Sequence, residues 1–178
     1  ALEEFVKSCI PGVNALRIAA YEFHYEPFLR LLKLAIDRGI DVQIVYDARK
    51  QSPKKHNEEK INSYGLADFC TPRKQGASYI SHNKFIVKLE NNLPISVWTG
   101  GMNFSDGGIF GHSNVVHVIE KAVIAERYLE YWNYLNGDPT SAKLKPLIEA
   151  LSPLPTIPVQ GKETCVFSPR KNLDALQM

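Results

Sequence analysis

Ser81-His82-Asn83-Lys84-Phe85-Ile86-Val87, followed by Val97-Trp98-Thr99-Gly100-Gly101-Met102-Asn103-Phe104-Ser105, is the part of this chain from which the rest can be read. His82 and Lys84 stand two apart on a segment that reads as a strand, so both are expected to project from one face. A Gly-Gly turn and an amide follow after one more strand. This set offers a nucleophile or proton carrier (His82), a fixed cation (Lys84), backbone N–H groups open to close approach (Gly100, Gly101) and a neutral donor (Asn103). Such a set suits a phosphodiester whose charge builds on its non-bridging oxygens. Taken alone, His82 would read as a strand histidine bonded to backbone, and Asn103 as a turn residue capping its own chain. Their company reverses both readings.

Working outward, Leu2 to Ile10 reads as a short helix and Pro11-Gly12 as a break. Ala15 to Phe23 reads as a buried strand. Phe28, Leu31, Leu32 and Ala35 follow Pro27 at helical spacing, and Gly39 closes that helix. Ile40 to Tyr46 is a second strand, so strand–helix–strand predicts a parallel pair with a right-handed crossover. Asp47 to Asn57 reads as a basic surface loop carrying Lys50, Lys54, Lys55 and His56. A modest helix over Glu58 to Tyr64 and a short strand near Asp68 to Cys70 come next. Pro72 to Ser78 reads as another loop, with Arg73 and Lys74. Tyr79 to Leu89 and Leu93 to Thr99 form a hairpin closed by Asn91-Asn92. Asn103 to Gly111 is Gly-rich and irregular, and Asn114 to Ile119 is a further strand. Glu120 to Leu135 is a helix whose core face carries Ala125, Tyr128, Leu129, Trp132 and Leu135. The fold class this implies is α/β, a mixed, largely parallel sheet with helices on both faces.

The motif His-x-Lys, an apolar strand, a short turn and then Gly-Gly-x-Asn resembles the phospholipase D superfamily. Gly108-Ile109-Phe110-Gly111-His112-Ser113-Asn114 extends the match, which covers roughly Ala1 to Leu135. The resemblance implies a metal-independent phosphodiesterase without a cofactor, in which His82 attacks phosphorus to form a phosphohistidine. A second His would protonate the leaving oxygen and later activate water. Lys84 and Asn103 would hold the phosphoryl oxygens, with Gly100, Gly101, Ser113 and Asn114 as substrate contacts. Departures are visible. The family usually carries Ser at the position of Gly101 and Asp at that of Leu89, with Glu90 one step later. Ser113 stands where some members have a Glu that orients the nucleophile.

Domain organisation follows from the same comparison. Residues 1–137 are expected to form the catalytic unit, 138–162 a helix and Pro-rich linker, and 163–178 the opening of a second unit, a strand and a helix start. Since that mechanism uses two facing His-x-Lys motifs, the partner motif is expected from a homodimer mate or from a C-terminal half beyond Met178. An initial Ala rather than Met points to a processed chain or an excised piece.

Bulk properties narrow the function. The 178 residues, 44% hydrophobic, can bury one sizeable core. A formal net charge of +2 does not by itself announce a nucleic-acid binder. No apolar run reaches the length of a spanning helix, and no signal peptide is visible. Cys9, Cys70 and Cys165 make no C-x-x-C pair, so a structural zinc site is not expected and reduced thiols in the cytoplasm are. His24, at the end of the first strand, is placed to line a crevice. His112 sits in the loop beside the motif, and His117 reads as structural. The basic loops favour a DNA or RNA phosphodiester, weakly, over a phospholipid, because no interfacial amphipathic helix is present. The alternatives are a non-catalytic phosphate- or nucleic-acid-binding module and a phospholipase.

Overall fold

The computed structural model describes residues 1–49, 51–75, 81–155 and 163–176. The expected start of the motif hairpin at Tyr79, Lys50 and most of the Pro-rich linker lie outside them. The elements run α1 (Leu2–Lys7), β1 (Asn14–Ala20), α2 (Glu26–Asp37), β2 (Asp41–Asp47), α3 (Gln51–Ser63), β3 (Cys70–Arg73), β4 (Lys84–Glu90), β5 (Leu93–Gly100), β6 (Val116–Ile119), α4 (Ala122–Asn136) and α5 (Ser141–Leu151).

The strands form a single six-stranded sheet in the order β3-β2-β1-β4-β5-β6. Pairing is parallel for β3-β2 and β2-β1, and antiparallel for β1-β4, β4-β5 and β5-β6. The mixed α/β fold is the expected one, but parallel pairing does not dominate it. The reason is local. Only β1 to β3 are linked by helical crossovers, whereas Asn91 and Asn92 (φ 49° and 66°) close a tight hairpin that must be antiparallel.

Both faces of the sheet are covered, and alternate residues divide between them. Leu16, Ile18, Ile44, Ile86 and Trp98 pack with Phe5, Phe28, Leu32 and Ile61 from α1, α2 and α3. Ala15, Ala19, Val45, Phe85, Val87 and Val97 pack with Ala125, Trp132, Leu135, Leu144 and Ile148 from α4 and α5. Trp132 on the second face donates its indole N–H to Ile18 O at 2.9 Å, fixing α4 across β1. Of the residues assigned to the core face of α4, Ala125, Trp132 and Leu135 are buried and Tyr128 and Leu129 pack at the edge.

Several local expectations need correcting. The segment after β2 is helical from Gln51 rather than a loop through Asn57, with Ser52 extended at φ −117°. It stays polar because it presents only Pro53, Asn57 and Ile61 inward, too few apolar positions to show a helical period. Arg73 belongs to β3 and is buried, not on a surface loop. Gly107–Gly111 is one turn of π-helix. Residues 163–176 form no strand. They run over α4 and α5, with Phe167 in the second core and Tyr131 Oη donating to Ser168 O at 2.6 Å. The cysteines are free, Cys9 buried and Cys70 and Cys165 half-buried.

Asn57 is the polar pin of the first crossover. Fully buried, it accepts from Phe23 N at 2.7 Å and donates to Tyr21 O at 2.8 Å and Asp47 O at 3.3 Å. It thereby ties the chain just past β1 to the end of β2. Asn57→Ala strands a buried N–H and two carbonyls, and is expected to cost about 3 kcal/mol of stability in urea unfolding.

Candidate functional site

The site forms where strand ends coincide. Antiparallel pairing sets Ala20, the last residue of β1, opposite Lys84, the first of β4. Tyr21 and Glu22 therefore emerge beside His82. β5 ends at Gly100, which pairs with Val116 of β6. The chain after Gly100 is drawn back across the sheet end by an isolated parallel bridge between Phe104 and Phe23. Phe104 N donates to Glu22 O at 3.1 Å, while His24 N and Tyr25 N donate to Phe104 O at 3.0 and 2.8 Å. Phe104 itself is fully buried against Phe23, Phe28 and Trp98. An apolar anchor thus holds Asn103 next to Glu22.

His82 lies in the extended lead-in to β4, not within the strand as expected, and it is exposed. Its ring meets Tyr21 edge-on, with centroids 4.5 Å apart. Partial desolvation, then the neighbouring Lys84 charge, push its pKa below the ordinary value, while Glu22 and Asp47 pull the other way. The shift favours the neutral imidazole, the form that can act as a nucleophile.

Lys84 is only 6% exposed. Its Nζ donates to His82 O at 2.8 Å and lies 5.2 Å from the centre of the Tyr21 ring. Burial brings its pKa down to about 8, against a smaller upward pull from Glu22. Among the described residues no carboxylate lies within ion-pair distance of Lys84. A buried ammonium held by a carbonyl and a ring is a cation prepared for an anion from outside.

Asn103 is positioned by close packing. A Cβ on Gly108 would fall 2.5 Å from Asn103 O and 2.8 Å from its Cβ, so only glycine lets the π-turn pass so near. The Asn103 side-chain oxygen is buried with no partner among the described residues. Ser105 Oγ donates to Glu22 Oε2 at 2.6 Å and accepts from Gly108 N at 3.1 Å. Asn114 Nδ2 donates to Gly108 O at 2.7 Å. Asn114 is thus a brace for the turn that presents Asn103. Gly100 fits because a Cβ there would lie 2.2 Å from Val115 O, and at Gly101 a Cβ would be 3.2 Å from Asn114 Oδ1. The place where the family carries Ser is therefore crowded by this chain's own Asn114. Leu89 is buried in the core under α4, away from His82, so the absent Asp takes nothing from the constellation. Ser113 is exposed in the approach to β6.

The remaining histidines stand apart. His24 and His56 meet edge-on at 5.6 Å, and His24 lines a separate polar cleft with Glu26, Lys60 and Asp106. His112 and His117 are exposed. Among the described residues no group of His, Cys, Asp and Glu could hold a metal ion.

Glu22 and Asp47 are the acidic residues that the sequence did not single out. Asp47 is fully buried, pairs with Arg49 at 2.6 Å and accepts from Ser81 N at 2.6 Å, which fixes the start of the motif. Asn83 continues this bracing by donating to Tyr131 Oη at 2.8 Å. The available signal was position. Both carboxylates lie at the carboxyl ends of parallel strands, Asp47 as the last residue of β2 and Glu22 two residues past β1, where α/β sheets gather their ligands.

A family model described as cardiolipin synthase, PLD-like domain, matches residues 12–135. Among solved structures, a phospholipase D family member, Nuc from Salmonella typhimurium, is 26% identical. The match covers 77% of this chain and 85% of that one, with a TM-score of 0.63. NucT from Helicobacter pylori is 18% identical over 77% of this chain and 86% of its own, with a TM-score of 0.61. A polyphosphate kinase from Porphyromonas gingivalis shares the fold at 16% identity over 78% of this chain and 23% of its own, TM-score 0.58. No curated protein sequence matches the chain.

Proposed function

The chain belongs to the phospholipase D superfamily, matching its cardiolipin synthase, PLD-like domain model, and from that premise we propose that it is a metal-independent phosphodiesterase acting through His82. The observation that carries the proposal is buried Lys84, its Nζ held by His82 O at 2.8 Å and with no carboxylate within ion-pair distance among the described residues. In this reading the neutral His82 ring attacks phosphorus and the P–O bond to the leaving group breaks. The leaving oxygen takes a proton from a second histidine. Water, deprotonated by that histidine, then releases the phosphoryl group from His82. Lys84 holds the charge that builds on the non-bridging oxygens, and Asn103 turns its amide N–H toward them. Glu22, bonded to Ser105 and acting electrostatically on both His82 and Lys84, steadies this arrangement. The second histidine comes from another His-x-Lys unit, supplied by a homodimer mate or by a further unit of the same polypeptide opening at 163–178. Gly100 and Gly101 act through close packing rather than as open donors, since Gly100 pairs with β6 and Gly101 N donates to Val115 O at 3.0 Å, and Ser113 is left as an outer contact beside the bracing Asn114.

For substrate we favour a nucleic-acid phosphodiester. Nuc, a relative at 26% identity, is described as a phospholipase D family member, so a phospholipid is the competing substrate. Among the described residues no helix is long and apolar enough to cross a membrane. The test is turnover of bis(p-nitrophenyl) phosphate, DNA, RNA and phosphatidylcholine vesicles in EDTA. Cleavage of the chromogenic diester and of nucleic acid supports the proposal. Preference for the vesicles moves the substrate to lipid, loss of activity in EDTA sinks the metal-free mechanism, and silence on every substrate leaves a phosphate-binding module.

The two titrations set the pH profile. Attack needs neutral His82, whose pKa is held below its ordinary 6.5, so kcat/KM rises on the acid side of that value. Charge stabilisation needs protonated Lys84, so kcat/KM falls as pH passes about 8. Lys84→Arg retains the charge at every accessible pH. It is expected to abolish the alkaline fall while lowering the plateau, and a fall that survives it would assign that limb to another group.

A further inference from the structure

The position of His82 is set by its chain neighbours more than by its own exposed ring. Ser81 N donates to Asp47 Oδ2 at 2.6 Å, and Ser81 Oγ donates to Asn83 Oδ1 at 2.9 Å. Asn83 alternates with His82 and Lys84 along the lead-in to β4, so its side chain turns to the opposite face, toward α4. There its Nδ2 donates to Tyr131 Oη at 2.8 Å. Tyr131 donates its one hydroxyl proton to Ser168 O at 2.6 Å, which leaves a lone pair for Asn83. The Tyr131 side chain is buried, stacked on Phe85 with ring centroids 5.8 Å apart and tilted against Phe167 at 4.8 Å. Phe167 is seated in the same core, its N–H donating to Ser152 Oγ at 3.2 Å, while Arg170 reaches Ser152 O at 2.9 Å. An anchored carbonyl thus aligns the hydroxyl, and the hydroxyl fixes the residue between His82 and Lys84.

We propose that Tyr131 is a positioning residue for the phosphoryl site: through Asn83 it fixes the His82 carbonyl that holds Lys84 Nζ, with Ser168 O setting the direction of its hydroxyl. This role rests on the phosphodiesterase reading for what the site does, and it falls to a residue of α4, outside the motif. His82 O receives Lys84 Nζ at 2.8 Å, so a lead-in that drifts takes the acceptor away from the ammonium. Lys84 itself stays in place, because β4 pairs it with Ala20 and leaves it 6% exposed. A buried ammonium that loses its acceptor is harder to keep charged, which lowers its pKa. The groups that face Lys84 are His82, Tyr21 and Glu22, with Arg49 and Arg73 sharing the cavity beside it. The Tyr131 hydroxyl bonds to Asn83 and Ser168 and to none of these. Burial pushes the Tyr131 phenol up, away from the range in which Lys84 titrates.

Tyr131→Phe keeps the stacked ring and removes the hydroxyl. For bis(p-nitrophenyl) phosphate, kcat is expected to fall about tenfold with KM changed less than about twofold, since a charge is misplaced and no substrate contact is lost. The alkaline fall of kcat/KM should move at least about half a pH unit below its wild-type position. Carbon-13 NMR titration of the lysine Cε signals should show the same downward movement without turnover, the Lys84 signal being identified by its absence from Lys84→Arg. Asn83→Ala combined with Tyr131→Phe should lower kcat no further than Asn83→Ala alone, because one residue acts through the other. Losses that multiply in the double variant overturn the proposal. So does a Tyr131→Phe variant that is less stable in urea while its kcat and Lys84 titration stay at wild-type values. An upward movement of the Lys84 titration also overturns it, since the ammonium would then have been released to solvent. The catalytic reading fails separately. A wild type silent on every diester defeats the catalysis, and a Lys84 titration that still moves down in Tyr131→Phe upholds the role of Tyr131.

Discussion

His82→Asn is expected to lower turnover of bis(p-nitrophenyl) phosphate by at least about 10⁴-fold while changing affinity for inorganic phosphate less than roughly threefold. The substitution removes the only candidate nucleophile on this stretch. It leaves in place the groups that would hold charge, Lys84 and Asn103. His82 is exposed and its packing is limited to the edge of Tyr21, so folding should be unaffected. Parallel loss of turnover and phosphate affinity would mean that His82 binds rather than attacks. Turnover within tenfold of the wild type would place the nucleophile elsewhere.

Lys84→Met should produce opposite effects on stability and activity. The native fold holds this ammonium with its pKa brought from 10.5 to about 8, which corresponds to roughly 3 kcal/mol of folding free energy lost at neutral pH. The sign follows from proton binding. Between about 8 and 10.5 the unfolded chain binds the proton more strongly than the native one, so stability rises with pH across that window. Below about pH 8 the cost is constant and fully present. Methionine keeps the length of the side chain, removes the buried charge and gives up one hydrogen bond to His82 O. A net gain of about 1–2 kcal/mol in urea unfolding at pH 7 is expected, together with loss of the stability rise between pH 8 and 10.5. Turnover should fall by at least about 10³-fold, because Lys84 is the cation proposed to hold the charge that builds on the phosphoryl oxygens. A variant that is less stable at pH 7 would show that Lys84 is anchored as a structural residue.

These predictions locate what could be read in the chain and what could not. The hairpin was legible because Asn91-Asn92 favours left-handed conformations between two apolar runs, and the structure has positive φ at both. The parallel β1-β2 unit was legible from the helical period after Pro27 and the stop at Gly39, whose φ is 92°. The balance of the sheet was not, since strand order depends on which edges meet and the sequence shows only how neighbours connect. Helix α3 was hidden because its inward face is made of Pro53, Asn57 and Ile61, and a buried asparagine gives no hydrophobic signal. Arg73 read as solvated for the same reason. Its burial depends on Asp138 and Pro139, which lie far along the chain.

At the candidate site, His82, Lys84 and Asn103 were visible as a motif, but the reasons for their positions were not. Asn103 is set by the room at Gly108 and by the Phe104 anchor, and His82 by Asp47 through Ser81. Glu22 gave no signal because its partner Ser105 follows it 83 residues later in the chain. The sites that departed from the family pattern also gain a physical account. Gly101 makes room for Asn114, and Leu89 belongs to the core.

The stereochemical course at phosphorus tests the central claim most directly. A chiral phosphorothioate diester would be hydrolysed by the chain in heavy-oxygen water with EDTA present, and the configuration of the product read by phosphorus NMR. Attack by His82 followed by attack of water inverts phosphorus twice, so the account predicts net retention. Net inversion would mean that water attacks the diester directly, and would contradict a phosphohistidine on His82.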